Sequence, residues 1–316
     1  MLFYNPVSGH AAFKNKLDWI VEAFQRRGIL VVFYRTRREG NEAFIPFVRE
    51  VNPDGLLVAG GDGTVHEIVN LMMKGNLDLP LGIIGSGTSN DFATYLGVNT
   101  DLEAYLDTIA AGRTRRVDLG LMDGTYFINV ASGGAMACIA HEVNARIKNS
   151  LGKMAYYLKG IGELPKFRYF PLKIEADGAH YELETFLFVI INSPVVGSMK
   201  NVANGVAVDD GKLDLLSIGK CSIPKLMSIT ADLIAGKPVS EREDVLHVQA
   251  KHFHIESGIP VESDIDGECG PMLPLTIETV PRAVAMNTYS VSLNPLTGRM
   301  ALIFSPSTSG SRLTMG

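Results

Sequence analysis

Long hydrophobic runs are missing from this 316-residue sequence, and cysteine is scarce. No apolar stretch approaches the roughly 20 residues that a membrane-spanning helix requires, so an integral membrane protein is not predicted. The three cysteines, Cys138, Cys221 and Cys269, are odd in number and lack the spacing of a metal site. This pattern fits a reducing, cytoplasmic setting. The first residues also lack the basic segment and cleavage pattern of a signal peptide.

An excess of basic residues is missing too. The 29 Lys and Arg stand against 34 Asp and Glu, which gives a net charge of −5. Because nucleic-acid binding generally needs a basic face, we expect no nucleic-acid partner. A local exception runs from Asn144 to Lys173, where seven Lys or Arg oppose the single acid Glu163. Such a patch is typical either of a solvated helical face or of a surface that meets anionic lipid head groups.

A glycine-rich turn is the most informative feature that the sequence does have. The apolar run Leu56–Ala59 reads as a buried strand, and helical spacing of apolar residues begins after Thr64. The glycines between them are Gly60, Gly61 and Gly63. We therefore predict a strand, a turn and a helix, with Thr64 and Glu67 forming a capping box and Gly75 ending the helix.

The chemistry of this turn follows from its composition. Glycines let the backbone come close to a ligand, and the start of a helix attracts phosphate through its N–H groups and its dipole. Asp62 in the same turn would repel phosphate unless a divalent cation lies between them, or unless it takes a proton from an attacking hydroxyl. Either use indicates phosphoryl transfer. The alternative is a tight turn whose glycines serve packing alone.

Residues 1–116 alternate between strand and helix patterns with short loops, which predicts a parallel α/β domain. The predicted strands are Leu2–Tyr4, Ile29–Tyr34, Leu56–Ala59 and Leu81–Ile84. The predicted helices are Ala11–Arg27, Asn41–Val51, one from Thr64, one after Asp91 that closes at Gly97, and Asp101–Ala111. Three loops rich in Gly, Ser, Thr, Asn and Asp follow strands, and ligands of such sheets bind outside the carboxyl ends of the strands.

Residues 117–286 read as a mostly antiparallel second domain, because strand-like segments there are separated by hairpin signals. The predicted strands are Val117–Leu121, Tyr126–Ala131, Leu172–Ala176, Tyr181–Ile191, Leu213–Ile218, Val245–Ile255 and Leu275–Thr279. The predicted helices lie near Met136–Ile147, Met154–Leu164 and Pro224–Ala235. Residues 287–304 either complete the first domain or extend beyond it, and 305–316 are predicted to be a disordered tail.

Several catalytic signatures are absent. The sequence has no Walker motif, dinucleotide fingerprint, H-E-x-x-H, G-x-S-x-G or CxxC array. What remains is a nucleotide held by backbone N–H groups of several loops, with Mg²⁺ neutralising its phosphates and an acceptor hydroxyl placed in line.

Five motifs carry a family resemblance. Asn5-Pro-x-Ser-Gly9, Gly60-Gly-Asp-Gly-Thr64 and Gly87-Thr-Ser-Asn-Asp91 resemble, in order and spacing, the diacylglycerol kinase catalytic family, in particular the soluble bacterial lipid kinases related to sphingosine kinases. Val206-Ala-Val-Asp-Asp-Gly-Lys-Leu-Asp214 and Asp266-Gly-Glu268 are similar to the C-terminal motifs of that family. The resemblance spans residues 2–286. The second motif alone also occurs in NAD kinases and phosphofructokinases, whereas the set of five is specific.

The resemblance implies an α/β domain like that of NAD kinases and phosphofructokinases, a β-sandwich lipid domain, and ATP in the cleft between them. It assigns ATP binding to Asn5, Pro6, Ser8, Gly9, Thr36, Gly60, Gly61, Gly63, Thr64 and Thr88. It assigns general-base chemistry to Glu268, with Asp266 beside it, and places Asp62 in the catalytic set. It assigns a structural Mg²⁺ to Asp210, with backbone carbonyls near Ala207 and Lys212. Without the resemblance, both Asp-Gly pairs would read as hairpin turns.

One residue departs from the family pattern. His10 occupies a position at which related bacterial enzymes often have lysine close to the phosphates. Charge neutralisation would then depend on Mg²⁺, or on Lys14 or Arg38.

The sequence thus predicts an ATP- and Mg²⁺-dependent kinase that phosphorylates a primary lipid hydroxyl, with diacylglycerol giving phosphatidate as the first expectation. We expect a cytoplasmic protein that contacts the membrane peripherally, and an exposed sheet edge would be compatible with a homodimer. Other acceptors remain open: a sphingoid base, ceramide, undecaprenol or phosphatidylglycerol. An NAD kinase and a non-catalytic lipid or nucleotide sensor are the further alternatives.

Overall fold

A computed structural model describes most of the chain. The described residues are 1–8, 13, 15–38, 40–87, 89–98, 101–134, 169–288, 292–293 and 300–301. Gly9, Thr88 and the predicted helices near Met136–Ile147 and Met154–Leu164 lie outside them. Within the described part, no helix is both long and apolar enough to span a membrane.

The first half is a parallel sheet with helices on both faces. Its strands are β1 (Leu2–Tyr4), β2 (Phe33–Arg35), β3 (Leu56–Gly60) and β4 (Leu81–Gly85), in the order β4-β3-β1-β2. Its helices are α1 (Leu17–Gln25), α2 (Phe44–Val51), α3 (Asp62–Lys74), α4 (Asp91–Tyr95) and α5 (Leu102–Ala110). Phe3 and Val58 pack toward α2 and α3, whereas Leu2 and Leu57 pack toward α1 and α5. Both faces are therefore buried, as a parallel sheet requires.

The second half is antiparallel. Its strands are β5 (Thr114–Met122), β6 (Thr125–Phe127), β7 (Val130–Gly134), β8 (Phe170–Ala176), β9 (Ala179–Ile191), β10 (Leu213–Gly219), β11 (Val245–Ala250), β12 (His252–Glu256), β13 (Ser263–Ile265), β14 (Glu268–Cys269) and β15 (Leu275–Asn287). The long strand β9 pairs with β7, β8 and β10. One helix, α6 (Ile223–Ile234), packs Leu226 and Ile229 against this half. The predicted fold class, α/β followed by a mostly antiparallel β domain, is confirmed.

Strand β15 connects the two halves. It pairs antiparallel with β12 and β5, and its Met286 pairs in parallel with Leu81 of β4. All strands up to β15 consequently belong to one hydrogen-bonded sheet. Two further short strands, β16 (292–293) and β17 (300–301), pair only with each other within the described residues.

Four predicted strands have wrong boundaries. Strand β2 begins at Phe33 rather than at Ile29. The segment Tyr126–Ala131 is two strands, because the N–H groups at the break bond to a side chain rather than to a neighbouring strand. The segment Val245–Ile255 is likewise interrupted, at Lys251, whose N–H bonds to the Asp177 carboxylate. Strand β15 continues past Thr279 to Asn287, and its pairing with β5 shifts register between Val280 and Val284. The proline at position 281 within this irregularity is the reason why the sequence pattern predicted an earlier end.

The predicted capping of α3 is also wrong. The helix begins at Asp62 with Gly61 as N-cap, and Glu67 accepts a hydrogen bond from the Asn41 side chain instead of closing a box with Thr64. Gly75 has an ordinary φ of −86°, and the left-handed residue is its neighbour Asn76. The acceptor role of Glu67 is thus taken by a distant partner, whereas the C-terminal end is closed locally, with the Leu77 N–H bonded to the Met72 carbonyl.

Candidate active site

The segments that follow three of the four parallel strands, β1, β2 and β3, line one cavity of about 590 Å³. It is lined by eight of the residues assigned from the sequence: Asn5, Pro6, Ser8, Thr36, Gly61, Gly63, Thr64 and Glu268. The last of these comes from β14, so the second half of the chain closes the cavity opposite the loops of the first. The position agrees with the general rule for ligands of open α/β sheets.

Asn5 connects the first loop to the central turn. Its backbone N–H bonds to the carbonyl of Ala59, and its side-chain amide donates to Thr64 Oγ1 at 3.2 Å. Its Oδ1 accepts the N–H of Val7 at 3.0 Å, which shapes the loop itself. Thr36, 3% exposed, is held by a bond from its N–H to the Tyr4 carbonyl. The polar side chains of separate loops are thus fixed relative to one another.

The central turn and the loop after β4 touch backbone to backbone. A Cβ atom built on Gly87 would lie 2.5 Å from Gly61 Cα, and one on Gly61 would lie 3.1 Å from Gly87 Cα. The first N–H groups of α3 have no acceptor within the helix, and they open next to this contact. The Ser86 hydroxyl is buried there and has no hydrogen-bond partner among the described residues. This cradle of amides and hydroxyls suits a chain of phosphates.

Two glycine substitutions separate nucleotide binding from chemistry. We expect Gly87→Ala to weaken ATP binding by at least about tenfold, ~1.4 kcal/mol, because it forces the two loops apart. Gly63→Ala places its methyl 3.1 Å from Glu268 Oε1, a movable side-chain end, so we expect kcat to fall more than ATP affinity.

Isothermal titration with ATP and steady-state kinetics measure the two effects. Gly219→Ala is the matched control, because its Cβ would meet only the Asp244 carbonyl at 3.6 Å. Equal losses of ATP affinity in the Gly87 and Gly63 variants would contradict the assignment.

Asp62 holds the loop before α4. Its two carboxylate oxygens accept the N–H groups of Asn90 and Asp91, both at 2.9 Å. Burial and the neighbouring Asp91 carboxylate raise the pKa of Asp62 from 3.8 to about 6, although the two hydrogen bonds act in the opposite direction. Asp91 in turn accepts the N–H groups of Gly197 and Ser198. Asp62 thereby positions a loop that reaches the second half of the chain.

Asp266 and Glu268 share the turn between β13 and β14 but have different surroundings. The Asp266 side chain is 2% exposed and accepts the N–H groups of Ile128, Asn129 and Val130, together with a contact from His66. Glu268 is exposed and lines the cavity, and its Oε1 would lie 3.1 Å from a Cβ atom built on Gly63 in the first turn of α3. The turn therefore has one carboxylate committed to structure and one available for proton transfer.

The loop that carries Asp210 lies away from the lining of the cavity. Asp210 accepts the N–H of Lys212 and the side-chain amide of Gln249. Its pKa is raised, first by burial and then by the nearby carboxylates of Asp214 and Asp118. Among the described residues no cluster of three His, Cys, Asp or Glu side chains could hold a metal. The Asp210 carboxylate and the excess negative charge around it match the hard oxygen chemistry that Mg²⁺ prefers.

Sequence reasoning missed two arginines of the cavity, Arg35 and Arg37, which line it together with Arg38. Within the described residues none of the three forms a salt bridge, whereas the guanidinium of Arg27 binds two carboxylates. The sequence did contain an indication of them, because three arginines flank Thr36, a residue already assigned to ATP binding. These groups can supply positive charge to a nucleotide whose first loop lacks the usual lysine.

A second cavity, of about 830 Å³, runs further along α3 and shares Glu67 with the first. His66, Asn70 and Tyr126 are among its lining residues. The Glu67 carboxylate, bonded to Asn41 at 2.6 Å, separates the two spaces.

Known protein families match both halves of this chain. The diacylglycerol kinase catalytic domain matches residues 1–122, and the YegS C-terminal NAD kinase beta sandwich-like domain matches residues 129–288. A diacylglycerol kinase of Bacillus subtilis is 31% identical over 277 residues, 86% of this chain and 90% of that protein. One from Staphylococcus haemolyticus is 32% identical over 289 residues, 91% of this chain and 87% of that protein.

The solved structures agree. The crystal structure of a diacylglycerol kinase from Bacillus anthracis superposes with a TM-score of 0.73 at 27% identity, covering 91% of this chain and 96% of that one. With two domain matches in the expected order and relatives above 30% identity over most of its length, the chain belongs to the diacylglycerol kinase family of ATP-dependent lipid kinases.

Proposed function

We propose that the protein transfers the γ-phosphoryl group of ATP to the primary hydroxyl of diacylglycerol, giving phosphatidate and ADP. The observation that carries the proposal is the position of Glu268, an exposed carboxylate that lines the cavity beside Gly63, at the amide-lined start of α3. The names of the relatives support diacylglycerol as the acceptor.

The proposed step divides the work between the two halves of the chain. Backbone N–H groups of Gly61 and Gly63 bind the phosphates, with arginines at the rim offsetting their charge. The lipid hydroxyl oxygen attacks the γ-phosphorus, its proton passes to Glu268, and the bond from phosphorus to the β-phosphate oxygen breaks to release ADP. Such in-line positioning supplies most of the catalysis in phosphoryl transfer.

Mg²⁺ belongs to the proposal in two places. When bound with ATP it offsets phosphate charge, and at the Asp210 loop it would hold together the segment that includes Ala207 and Lys212. Asp118 supports that segment from β5, where its carboxylate accepts the N–H groups of Gly211 and Arg282.

Peripheral membrane contact is the remaining part of the proposal, because the acceptor resides in a bilayer. Helix α6 exposes three apolar side chains at i, i+4 and i+11, a spacing that places them on one face. Ile223, Met227 and Ile234 are 58%, 52% and 40% exposed. An apolar helical face of this kind is typical of contact with a lipid surface.

The proposal is tested by a kinase assay over a panel of acceptors. Purified protein, γ-labelled ATP and Mg²⁺ are incubated with diacylglycerol, a sphingoid base, ceramide, undecaprenol or phosphatidylglycerol in mixed micelles, and with NAD in solution. We expect labelled phosphatidate, identified by mass spectrometry, as the main product, and the protein should sediment with diacylglycerol-containing vesicles. Labelling of another lipid would change the acceptor, and labelling of NAD alone, or of nothing, would contradict the proposal.

A further inference from the structure

His66 on α3 contacts the turn that carries the proposed base. Its Nδ1 lies 3.1 Å from Asp266 Oδ2, although the two residues are 200 positions apart in the sequence. The imidazole is 14% exposed and the Asp266 side chain 2%. The contact thus joins the first half of the chain to the second in a largely water-excluded place.

The orientation of the imidazole is fixed from its other side. Its Nε2 lies 3.4 Å from the side-chain nitrogen of Asn70, one helical turn along. The Asn70 amide nitrogen donates its two protons to the carbonyls of His66 and Tyr126, both at 2.9 Å, and its oxygen accepts the Tyr126 N–H, so Asn70 is anchored to β6. Because the Asp266 carboxylate can only accept, the proton of this pair is on Nδ1, which donates to Asp266 in both the neutral and the charged imidazole.

Charge reinforces this arrangement. Burial acts to lower the pKa of His66, but the hydrogen bond to Asp266 and the charges of Asp266, Glu268 and Asp264 outweigh it and raise the pKa above 6.5. Glu67, the next residue on α3, adds a further carboxylate whose own pKa the imidazole acts to lower. A charged imidazole binds Asp266 more tightly than a neutral one.

One helix, α3, therefore contributes both to the proposed phosphate site and to the position of the turn that carries Glu268. The first turn of α3 carries the amides proposed for phosphate binding, and its second turn carries His66, which holds the Asp266 turn. Glu268 is two residues further along that turn. A displacement of about 1 Å between reacting groups can cost about 100-fold in rate.

We propose that His66 is a positioning residue for phosphoryl transfer, which holds the Asp266 turn against α3 and thereby keeps Glu268 opposite the phosphates. The inference rests on the proposed function, in which Glu268 is the general base. His66 itself is not among the residues that line the cavity of the proposed site.

Two substitutions at His66 and one control test this role. We expect His66→Leu to lower kcat by about 10- to 100-fold with the KM for ATP nearly unchanged, because the phosphate-binding loops are intact. His66→Asn supplies an N–H donor at nearly the position of Nδ1 and should recover most of the loss. His252→Leu is the matched control, because His252 contacts Asp177 through the same atoms at 3.2 Å on an exposed strand.

A double-mutant cycle separates this inference from the proposed function. In a Glu268→Gln background, His66→Leu should cause little further loss, because it acts through the missing base. Full additivity, unchanged kcat in His66→Leu, or failure of Asn to rescue a folded protein would overturn the inference while leaving the base intact. Wild-type activity in Glu268→Gln alone would instead overturn the proposed function.

A readout independent of turnover completes the test. Long-range ¹H–¹⁵N spectra follow the titration of the His66 ring in the apo protein. We expect its midpoint above 6.5 and a downward shift in Glu268→Gln, which removes one neighbouring carboxylate. A midpoint below 6.5 in the wild type would overturn the inferred pairing with Asp266.

Discussion

Glu268→Gln is expected to lower kcat by about 100- to 10,000-fold, the range for removal of a general base, while ATP affinity changes little. The amide keeps the size of the side chain but cannot accept the proton of the acceptor hydroxyl. Glu268 is exposed on a two-residue strand, so its substitution should leave the thermal stability unchanged. Single-turnover assays with diacylglycerol and calorimetric titration with ATP measure the two effects separately.

Glu256→Gln provides the comparison. Glu256 is an exposed glutamate in the same half of the chain, 3.6 Å from Lys173, and it lies outside the lining of the cavity. Its variant should keep wild-type kcat. If Glu268→Gln also did so, the proton would have to leave by another route and the assignment of the base would be wrong.

The second large effect is expected from Asp62→Asn. An amide cannot accept both backbone N–H groups that the carboxylate holds, because one of its two atoms is itself a donor. The loop before α4 would then shift, and with it the link from Asp91 to Gly197 and Ser198. We expect a loss of kcat of about 100-fold. Asp101→Asn is the control, because it caps α5 at the surface through a single bond to Ala104.

The same substitution makes a prediction about stability and pH. The pKa of Asp62 is raised in the folded protein, so the folded state binds the proton more tightly than the unfolded chain. The contribution of Asp62 to stability is therefore greatest below about pH 4 and falls as the pH rises to about 6, by on the order of 3 kcal/mol. Asn does not titrate in this range, so the variant should gain stability relative to the wild type over this interval.

Thermal denaturation of both apo proteins between pH 4 and pH 7 checks the sign. If the Tm of the variant rises relative to that of the wild type as the pH increases, Asp62 is a buried carboxylate that is destabilised when charged. If the Tm of the wild type instead rises relative to that of the variant, the folded protein stabilises Asp62 as an anion, which would contradict the prediction.

The features that sequence predicted best are local ones. The three glycine-rich loops and the alternation of strand and helix depend on neighbouring residues, and the structure places them at the expected edge of a parallel sheet. Capping failed because its partners are distant: Thr64 bonds with Asn5 and Glu67 with Asn41. The break between β6 and β7 at Ile128 and Asn129 was missed for the same reason, because their N–H groups donate to the distant Asp266 carboxylate.

Long-range geometry could not be predicted in this way. Nothing in the local pattern of an Asp-Gly turn indicates that Glu268 lies next to Gly63, or that the Asp266 carboxylate pairs with the His66 imidazole. The family resemblance assigned the two acids without showing their different surroundings. Burial and hydrogen bonding distinguish them, since Asp266 is enclosed whereas Glu268 faces the cavity.

The most direct test of the account is a crystal structure with Mg²⁺ and a non-hydrolysable ATP analogue. We expect the β- and γ-phosphates on the backbone amides of Gly61 and Gly63, with the Glu268 carboxylate on the open side of the γ-phosphorus, where the acceptor hydroxyl enters. A nucleotide bound in the second cavity beyond Glu67, or phosphates remote from Glu268, would contradict the account.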